Sequence, residues 1–325
     1  MNVIIPTAGL GTRLRPHTHT KPKPMVHVAG KPVLGHLLER LQVLPIDEMV
    51  FIIGHLGEHI EEYVRQNYSF RSHFIEQKEL KGQAHAISLV KGLISGPTVI
   101  LFVDTIFDAD LTLLNRTDAD GVIYVSPVED PARFGVVIVE EGRVTRLVEK
   151  PSTPVSNLAV IGLYYIREVN DLFDAIDELI ERNIQTKGEY YLADALQLLI
   201  DKGQTFIAES VTVWEDCGTP EALLQTNRYL LEHGQAQAPD HTNALIIQPV
   251  YIAPTATIIN SVIGPYASIA DGAVIRDAII RDSIVSQGAS IAGVLLEYSI
   301  IGDHARVKGD YERLNVGDSS VVQFG

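Results

Sequence analysis

The sequence is poor in cysteine and in long apolar runs, and both shortages restrict what the protein can be. The single cysteine, Cys217, excludes a disulfide within the chain and has no second thiol with which to bind a metal, so we expect it to be structural. No run of about eighteen or more apolar residues is present, and the N-terminus lacks the charged and apolar segments of a signal peptide. We therefore expect no membrane span and a cytoplasmic location.

Positive charge is also scarce. The chain of 325 residues has 26 Lys and Arg against 41 Asp and Glu, a formal net charge of −15. The basic residues are dispersed, so nucleic acid and anionic membrane surfaces, which are themselves negative, are not expected as partners. Hydrophobic residues make up 46% of the sequence, which is enough for a large core and for more than one domain.

Two common phosphate-binding motifs are absent near the N-terminus, although an apolar strand at residues 3–5 leads into a loop that contains glycine. A Rossmann fingerprint, G-x-G-x-x-G, would need a third glycine where Leu14 stands. A Walker loop would need lysine directly after its second glycine, but Gly11 is followed by Thr12. The loop still has Gly9 and Gly11, whose lack of side chains lets backbone N–H groups approach an anion closely.

Two cations accompany this loop. The Arg13 guanidinium can donate to two phosphate oxygens at once, and the Lys23 ammonium is a mobile point charge. Residues 4–34 therefore predict a site for a polyanion such as a nucleoside triphosphate. The combined pattern, G-x-G-T-R followed by Lys23 within P-K-P and by G-K-P at residues 30–32, resembles the signature of the sugar-1-phosphate nucleotidylyltransferases, also called nucleotide-sugar pyrophosphorylases.

From the N-terminus to about residue 230, short apolar runs alternate with amphipathic segments such as 32–44 and 82–93. This alternation predicts an α/β domain, with a Rossmann-like, mostly parallel sheet flanked by helices on both faces. Strand-like segments separated only by turns between residues 121 and 166 indicate that the sheet is mixed. By the resemblance, residues 1–234 form a nucleotidyltransferase catalytic domain.

The pattern changes in the C-terminal part. Residues 234–243 are polar, which predicts a linker at residues 235–249, and the predicted domain at residues 250–325 carries aliphatic side chains at every fifth or sixth position. These are Ile252, Ile258, Ile263, Ile269, Ile275, Ile280, Val285, Ile291, Leu296, Ile301 and Val307. An antiparallel sheet would show a period of two instead. The pattern resembles the hexapeptide repeat of left-handed parallel β-helices, so we expect about three coils, and stacking with another copy to form a homo-oligomer.

Asp104 follows the continuous apolar run 99–103 and would stand at the carboxyl edge of the sheet, where ligands commonly bind. An isolated acid there is as often a turn or a helix cap, but residues 214–220, W-E-D-C-G-T-P, resemble the family segment that carries a second acid. The resemblance assigns Asp104 and Asp216 to a shared Mg²⁺, a hard ion that prefers oxygen ligands. Val103 departs from the family, because the motif L-x-G-D has glycine there.

Gln77 and residues 81–86, K-G-Q-A-H-A, together resemble the element that reads the nucleotide base. A carboxamide can accept from a pyrimidine N3–H and donate to O4, which suits uracil and thymine equally. The nucleotide-binding residues implied by the resemblance are Ala8, Gly9, Gly11, Thr12, Arg13, Gln77, Gly82 and Gln83.

The tripeptide E-K-P at residues 149–151 resembles the sugar-phosphate element of the family, in which the lysine contacts phosphate and the glutamate contacts ring hydroxyls. An isolated Glu-Lys pair is ordinarily solvated surface, but this pair ends a predicted strand and precedes a proline. The implied sugar-phosphate residues are Gly135, Glu149, Lys150, Gly162 and Glu189, and we expect Tyr164 and Trp214 to be pocket walls or core.

The resemblance covers nearly the whole chain and implies transfer of a nucleotidyl group from a nucleoside triphosphate to a sugar 1-phosphate, with release of pyrophosphate. The implied catalytic residues are Arg13, Lys23, Asp104 and Asp216. We expect dTTP and glucose 1-phosphate as substrates. UTP is the alternative, because residues 5–9 resemble uridylyl enzymes whereas residues 14–32 and the compact β-helix resemble thymidylyl enzymes. Two further hypotheses are a non-catalytic homologue that binds sugar nucleotides and an added acyltransferase activity of the β-helix.

Overall fold

The computed structural model describes residues 1–240 and 243–309. Contacts between Cα atoms divide the chain into two compact units, Met1–Thr226 and Asn227–Gly325. Within the described residues no helix is both long and apolar enough to cross a membrane. The domain limits at residues 234 and 249 stay predictions, and residues 310–325 of the expected β-helix lie outside the described part.

The first unit alternates strands with helices. Its strands are β1 (Asn2–Pro6), β2 (His27–Val28), β3 (Lys31–Pro32), β4 (Glu48–Ile53), β5 (Arg71–Glu76), β6 (Thr98–Leu101), β7 (Thr105–Asp108), β8 (Gly121–Pro127), β9 (Gly135–Glu140), β10 (Arg143–Glu149), β11 (Leu158–Ile166), β12 (Phe206–Ser210) and β13 (Val213–Asp216). The α-helices of the chain are α1 (Val33–Leu41), α2 (Glu58–Asn67), α3 (Gln83–Ser88), α4 (Val169–Glu181), α5 (Leu192–Asp201) and α6 (Pro220–Leu230). Short 3-10 turns occur at Thr12–Leu14, Lys23–Met25, Leu111–Asn115 and Pro131–Arg133, and a π turn at Leu231–Gln235.

Among the described residues, nine of these strands form one sheet in the order β10-β9-β11-β6-β1-β4-β5, with β8 paired to β11 and β12 paired to β8. β1 is parallel to β4 and β6, and β4 to β5, whereas β11 is antiparallel to β6 and β8. β1 can lie at the centre because Val3, Ile4 and Ile5 are apolar in succession and fully buried. The predicted Rossmann-like α/β fold, with a mixed and mainly parallel sheet flanked by helices, is confirmed.

Helix α1 shows why the amphipathic segments become helices. Its buried aliphatic side chains recur at helical spacing and are Val33, Leu34, Leu37, Leu38 and Leu41. The same helix buries His36, whose Nε2 lies 2.8 Å from the carbonyl oxygen of Val28. Burial lowers the pKa of His36 to about 3, because the charged imidazole would lose its hydration. The ring is therefore neutral at pH 7, and Nε2–H donates to Val28.

One helix is shorter than its sequence pattern indicates. The periodicity at residues 82–93 predicts a continuous helix, but α3 ends at Ser88. The chain then turns through Gly92, whose φ of 83° lies in the left-handed region. Val90 and Ile94 remain buried in the core, so the apolar pattern extends past the end of the helix.

In the second unit, short parallel strands stack in three sheets. They are β14 (Ala244–Ile246), β15 (Tyr251–Ile252), β16 (Thr257–Ile259), β17 (Ser261–Ile263), β18 (Ser268–Ile269), β19 (Val274–Arg276), β20 (Ile279–Arg281), β21 (Ile284–Val285), β22 (Ser290–Ala292), β23 (Leu295–Glu297), β24 (Ile300–Ile301) and β25 (Arg306–Lys308). The pairing orders are β14-β17-β20-β23, β15-β18-β21-β24 and β16-β19-β22-β25. This arrangement is consistent with the predicted β-helix. Its left-handed sense stays a prediction.

The aliphatic repeat forms the interior of this unit. All eleven residues of the predicted series belong to one apolar cluster or pack directly against it. Paired residues lie 16 or 17 positions apart, as Ser290 with Arg306 and Thr257 with Val274, so each coil places about one series member on each of three sides. β14 pairs with β17 and falls within the segment 235–249 predicted as a linker, so this part of the segment is regular structure.

Candidate active site

Three loops meet at one edge of the main sheet, because β1, β5 and β6 run in the same direction. The glycine loop follows β1, Gln77 follows β5 and Asp104 lies just beyond β6. The Thr7 N–H donates to the Ile52 carbonyl at 2.8 Å, and the Gln77 N–H donates to the Ile53 carbonyl at 2.8 Å. These bonds continue the strand pairing into the loops. The loops therefore start from fixed positions at the carboxyl edge, where parallel sheets bind ligands.

The glycine loop is a compact turn beside Lys23. Gly11 has a φ of 60°, and its carbonyl accepts the Leu14 N–H at 3.0 Å, which starts the 3-10 turn that carries Arg13. Thr18 Oγ1 donates to the same carbonyl at 2.9 Å. A Cβ at Gly11 would lie 2.9 Å from the Cβ of Lys23, so glycine is required for this close approach.

The two carboxylates predicted to bind metal lie on adjacent segments. β7 begins directly after Asp104 and is antiparallel to β13, which places Asp216 opposite Thr105. The Cys217 N–H donates to the Asp104 carbonyl at 2.9 Å. Lys23 Nζ is 3.6 Å from Asp104 Oδ2, so one of the predicted phosphate ligands also borders this pair.

Gly218 fixes the Asp216 carboxylate and leaves room for Arg13. Its N–H donates to Asp216 Oδ1 at 2.7 Å. A Cβ at Gly218 would lie 2.7 Å from that oxygen and 3.0 Å from Arg13 Nη2. Any larger residue at this position would displace the carboxylate or the guanidinium.

Gly82 shapes the element predicted to read the base. Its φ of 108° and ψ of 177° are accessible without strain only to glycine. A Cβ there would lie 2.5 Å from the carbonyl oxygen and 2.7 Å from the nitrogen of Tyr190. The Tyr190 N–H donates to the Lys81 carbonyl at 3.0 Å, and the Ala84 N–H donates to the Tyr190 carbonyl at 2.9 Å. The backbone of Tyr190 thus clamps the start of α3.

These elements enclose a first cavity of about 390 Å³. Its lining includes every residue predicted to bind the nucleotide, namely Ala8, Gly9, Gly11, Thr12, Arg13, Gln77, Gly82 and Gln83. Lys23 and Asp104 also line it. Glu189, predicted as a sugar-phosphate residue, lines this cavity and not the second one, because the tight turn at residues 187–188 folds it back beside Thr186 and next to Tyr190. Its contact with the sugar phosphate stays a prediction.

The other residues predicted to bind the sugar phosphate lie mainly on β9 and β10. Gly135 pairs with Glu149, and a Cβ at Gly135 would lie 2.8 Å from Glu149 Oε2. The Lys150 N–H donates to the Phe134 carbonyl at 3.0 Å, and Lys150 Nζ is 3.5 Å from Glu149 Oε1. Burial raises the pKa of Glu149, and the positive charge of Lys150 only partly opposes this effect.

Aromatic residues form the other walls of the space beside Glu149 and Lys150. Gly162, at a change of register between β11 and β8, has a φ of 85° and accepts the Phe102 N–H at 2.9 Å. Trp214 packs edge-on against Phe134, with ring centroids 5.0 Å apart. Together with the buried Tyr164, these side chains give the space an apolar wall.

A second cavity of about 600 Å³ contains four of the predicted sugar-phosphate residues and both carboxylates. They are Gly135, Glu149, Lys150, Gly162, Asp104 and Asp216. Four residues line both cavities, namely Arg13, Gln83, Phe102 and Asp104. The two cavities therefore adjoin, and molecules bound in them would meet beside Arg13 and Asp104.

Several lining residues were missed by sequence reasoning. Leu80 and Gly218 line the first cavity, and Arg133 and Gln225 line the second. Only Gly218 had a usable signal, as the glycine that follows the acid in D-C-G-T-P. Val103 is 6% exposed and also lines the first cavity, so it adjoins the ligand space.

The arrangement can be compared with known proteins. The family model for nucleotidyl transferases matches residues 2–233, which include every residue of both cavities. The chain belongs to the nucleotidyl transferase family.

Two relatives and one solved structure are similar to this nucleotidyl transferase. It is 31% identical to the glucose-1-phosphate thymidylyltransferase of Streptomyces antibioticus, over 100% of this chain and 99% of the relative. It is 35% identical to the UTP–glucose-1-phosphate uridylyltransferase AglF of Haloferax volcanii, over 71% of this chain and 97% of the relative. A solved structure of UDP-glucose pyrophosphorylase complexed with UDP-glucose has a TM-score of 0.63 at 24% identity, over 71% of this chain and 98% of that one, and so shares the fold.

Proposed function

We propose that this nucleotidyl transferase transfers a thymidylyl group from dTTP to glucose 1-phosphate and releases pyrophosphate. The observation that carries the proposal is the pair of adjoining cavities, which share Arg13 and Asp104. A nucleoside triphosphate in the first cavity and a sugar 1-phosphate in the second would have their reacting phosphates at the shared boundary. The names of the thymidylyl and uridylyl relatives support this class of reaction.

The first cavity suits a pyrimidine nucleoside triphosphate. The glycine loop offers backbone N–H groups, and Arg13 and Lys23 offer positive charge to the phosphates. The Gln77 carboxamide can bond to N3–H and O4 of the base, and Gly82 keeps the neighbouring wall free of a side chain. The base and the phosphates would therefore be held at opposite ends of one cavity.

The donors at Asp104 and Asp216 fit Mg²⁺. Both carboxylates line the second cavity, and the β7–β13 pairing holds their segments together. Over residues 1–240 and 243–309 there is no group of three or more His, Cys, Asp or Glu placed to hold a metal. Mg²⁺ does not need one, since it is often bound by one or two carboxylates together with water and substrate phosphates. When bound, the ion would offset negative charge on the triphosphate.

The chain supplies charge and position for a direct transfer. An oxygen of the sugar phosphate would attack the α-phosphorus, pyrophosphate would leave, and no covalent enzyme intermediate would form. Arg13 and Lys23 offset the charge that grows on the leaving pyrophosphate, and Lys150 orients the attacking phosphate. Cys217 is buried, which raises the pKa of its thiol to about 12, so this residue is not a thiolate nucleophile at pH 7.

UTP is the alternative nucleotide, because Gln77 can make the same two hydrogen bonds to uracil. Val103 favours dTTP. Its side chain stands where the family motif has glycine and lines the first cavity directly before Asp104, so it narrows that cavity. The ribose of dTTP lacks the 2′-hydroxyl of UTP and needs less room, so a narrower cavity discriminates against UTP.

We further propose that the protein is a homo-oligomer through its β-helical unit. Leu245, Val262, Ile279 and Leu295 follow one another across β14-β17-β20-β23, and all but Val262 are strongly exposed. An exposed apolar row of this kind is typical of an association surface. Light scattering should show an oligomer that Leu295→Glu dissociates, and a monomeric wild type would exclude the proposal.

A pyrophosphate-release assay tests the reaction. dTTP, UTP, GTP, ATP and CTP are each combined with several sugar 1-phosphates in the presence of Mg²⁺. We expect the highest kcat/KM with dTTP and glucose 1-phosphate, followed by UTP. Lys150→Met should strongly reduce the rate, whereas the control Lys202→Met, which removes a surface lysine paired with Glu178, should not. Absence of release with every pair would overturn the proposal.

A further inference from the structure

A residue outside both cavities contacts the ammonium group of Lys150. Its Nζ donates to the hydroxyl oxygen of Tyr191 at 3.2 Å and lies 5.0 Å from the centroid of the Tyr191 ring. Tyr191 is buried and is not among the residues that line either cavity. It therefore acts on the Lys150 side chain and not on a molecule in the pocket.

Glu149 competes for the same ammonium. Lys150 Nζ is 3.5 Å from Glu149 Oε1, longer than a good hydrogen bond, whereas its contact with Tyr191 is 3.2 Å. A lysine that collapsed fully onto this half-buried carboxylate would neutralise it, and neither group would then be free to bind substrate. The ring and hydroxyl of Tyr191 give the ammonium a second attachment, which limits this collapse.

The backbone of Tyr190, the residue before Tyr191, contacts the element predicted to read the base. Tyr190 clamps Gly82 through its N–H bond to Lys81 and through its carbonyl, which accepts the Ala84 N–H. Tyr190 and Tyr191 are consecutive, so one short segment contacts the base-reading element with its backbone and the sugar-phosphate lysine with its side chain. The position of Lys150 is thereby fixed relative to the first cavity.

We propose that Tyr191 is a positioning residue that holds the Lys150 ammonium away from Glu149 and directed at the phosphate of the sugar 1-phosphate. This inference rests on the proposed function, since it takes the second cavity as the sugar-phosphate site. The hydrogen bond to Tyr191 and the charge of Glu149 also raise the pKa of Lys150 against the opposing effect of its burial, so the ammonium stays charged.

The test compares the loss of two tyrosine hydroxyls. Tyr191→Phe keeps the ring under the ammonium and removes the hydroxyl. Tyr124→Phe is the control, because it removes the hydroxyl of a buried tyrosine that lines neither cavity and donates to the Asp110 carbonyl at 3.1 Å. Lys150→Met and the double variant Lys150→Met with Tyr191→Phe complete a cycle that isolates the coupling between the two residues. Denaturant unfolding of each variant shows that it is folded.

We expect Tyr191→Phe to raise the KM for glucose 1-phosphate about three- to tenfold, as the loss of one hydrogen bond implies, while the KM for dTTP stays within about twofold. Tyr124→Phe should leave both constants unchanged, and Tyr191→Phe should have no further effect once Lys150 is replaced. Equal effects on both substrates, or an undiminished effect in the Lys150→Met background, would overturn the inference and leave the proposed function intact. A wild type that neither releases pyrophosphate nor binds a sugar 1-phosphate in calorimetry would overturn both.

Discussion

Replacement of Gly82 by alanine should damage the nucleotide side of the site in a way that the structure quantifies. The φ of 108° and ψ of 177° would be imposed on a residue with a Cβ, at a cost of about 1–3 kcal/mol. The new Cβ would also lie 2.5 Å and 2.7 Å from backbone atoms of Tyr190, so that segment must shift. The shift would weaken the hydrogen bonds that link Tyr190 to Lys81 and Ala84, each worth about 1 kcal/mol.

The expected total loss is about 3–5 kcal/mol of unfolding free energy if both bonds break, which does not exceed the roughly 5–15 kcal/mol that a native protein has. Because Tyr190 clamps the start of α3, we expect the KM for the nucleoside triphosphate to rise about tenfold or more, the effect of a misplaced binding element. Gly203→Ala is the control, since Gly203 has a similar φ of 93° but a Cβ added there would meet no atom within 4 Å, so this variant carries the backbone strain without the collision.

Equilibrium denaturation and initial rates give the two readouts. Gly203→Ala should lose about 1–2 kcal/mol of stability and keep the wild-type KM values. A Gly82→Ala variant that matched the control in stability and in the KM for the triphosphate would show that the contact with Tyr190 has no influence on the site.

Three further predictions concern a buried histidine, the metal site and the nucleotide preference. The pKa of His36 is near 6.5 in the unfolded protein and about 3 in the folded protein. Between these values the unfolded state binds a proton that the folded state does not bind, so stability falls as the pH drops from 6.5 toward 3. Between pH 6.5 and 5 the unfolding free energy of the wild type should fall by about 1.5–2 kcal/mol more than that of His36→Gln. Denaturant titrations of both proteins at each pH measure this difference, and equal losses would contradict the lowered pKa of His36. Asp104→Asn or Asp216→Asn should lower kcat about 100-fold or more, and chelation should stop a wild-type reaction that added Mg²⁺ restores; full activity of either variant, or of the chelated enzyme, excludes the carboxylate site. Val103→Gly should raise the kcat/KM of UTP relative to that of dTTP. Equal changes for both nucleotides would show that Val103 does not set the nucleotide preference.

The parts of the fold that follow from local pattern were predictable. The apolar run at residues 3–5 fixes β1 because only a strand covered on both faces tolerates such a run. The interior of the β-helix follows from its aliphatic period, since each flat side admits about one inward residue. The end of α3 at Ser88 was not predictable from periodicity, because Val90 and Ile94 are buried outside the helix.

The site, like the fold, has parts that were predictable from local pattern and parts that were not. The residues predicted to bind the nucleotide lie in a few contiguous motifs that one sheet edge brings together, and all of them line one cavity. The opposition of Asp216 to Thr105 and the contact between Tyr191 and Lys150 join residues far apart in the chain, and no spacing rule encodes such contacts. Glu189 illustrates the limit, because its motif identified it as a site residue but the turn before it decides which cavity it faces.

The central claim is that both substrates occupy adjoining cavities at once and react directly. Initial rates measured with dTTP and glucose 1-phosphate varied against each other test this claim most directly. The structure predicts double-reciprocal lines that intersect, because a complex of the enzyme with both substrates must form before pyrophosphate leaves. Parallel lines, together with pyrophosphate released before any sugar phosphate is added, would indicate a covalent nucleotidyl-enzyme and contradict the account.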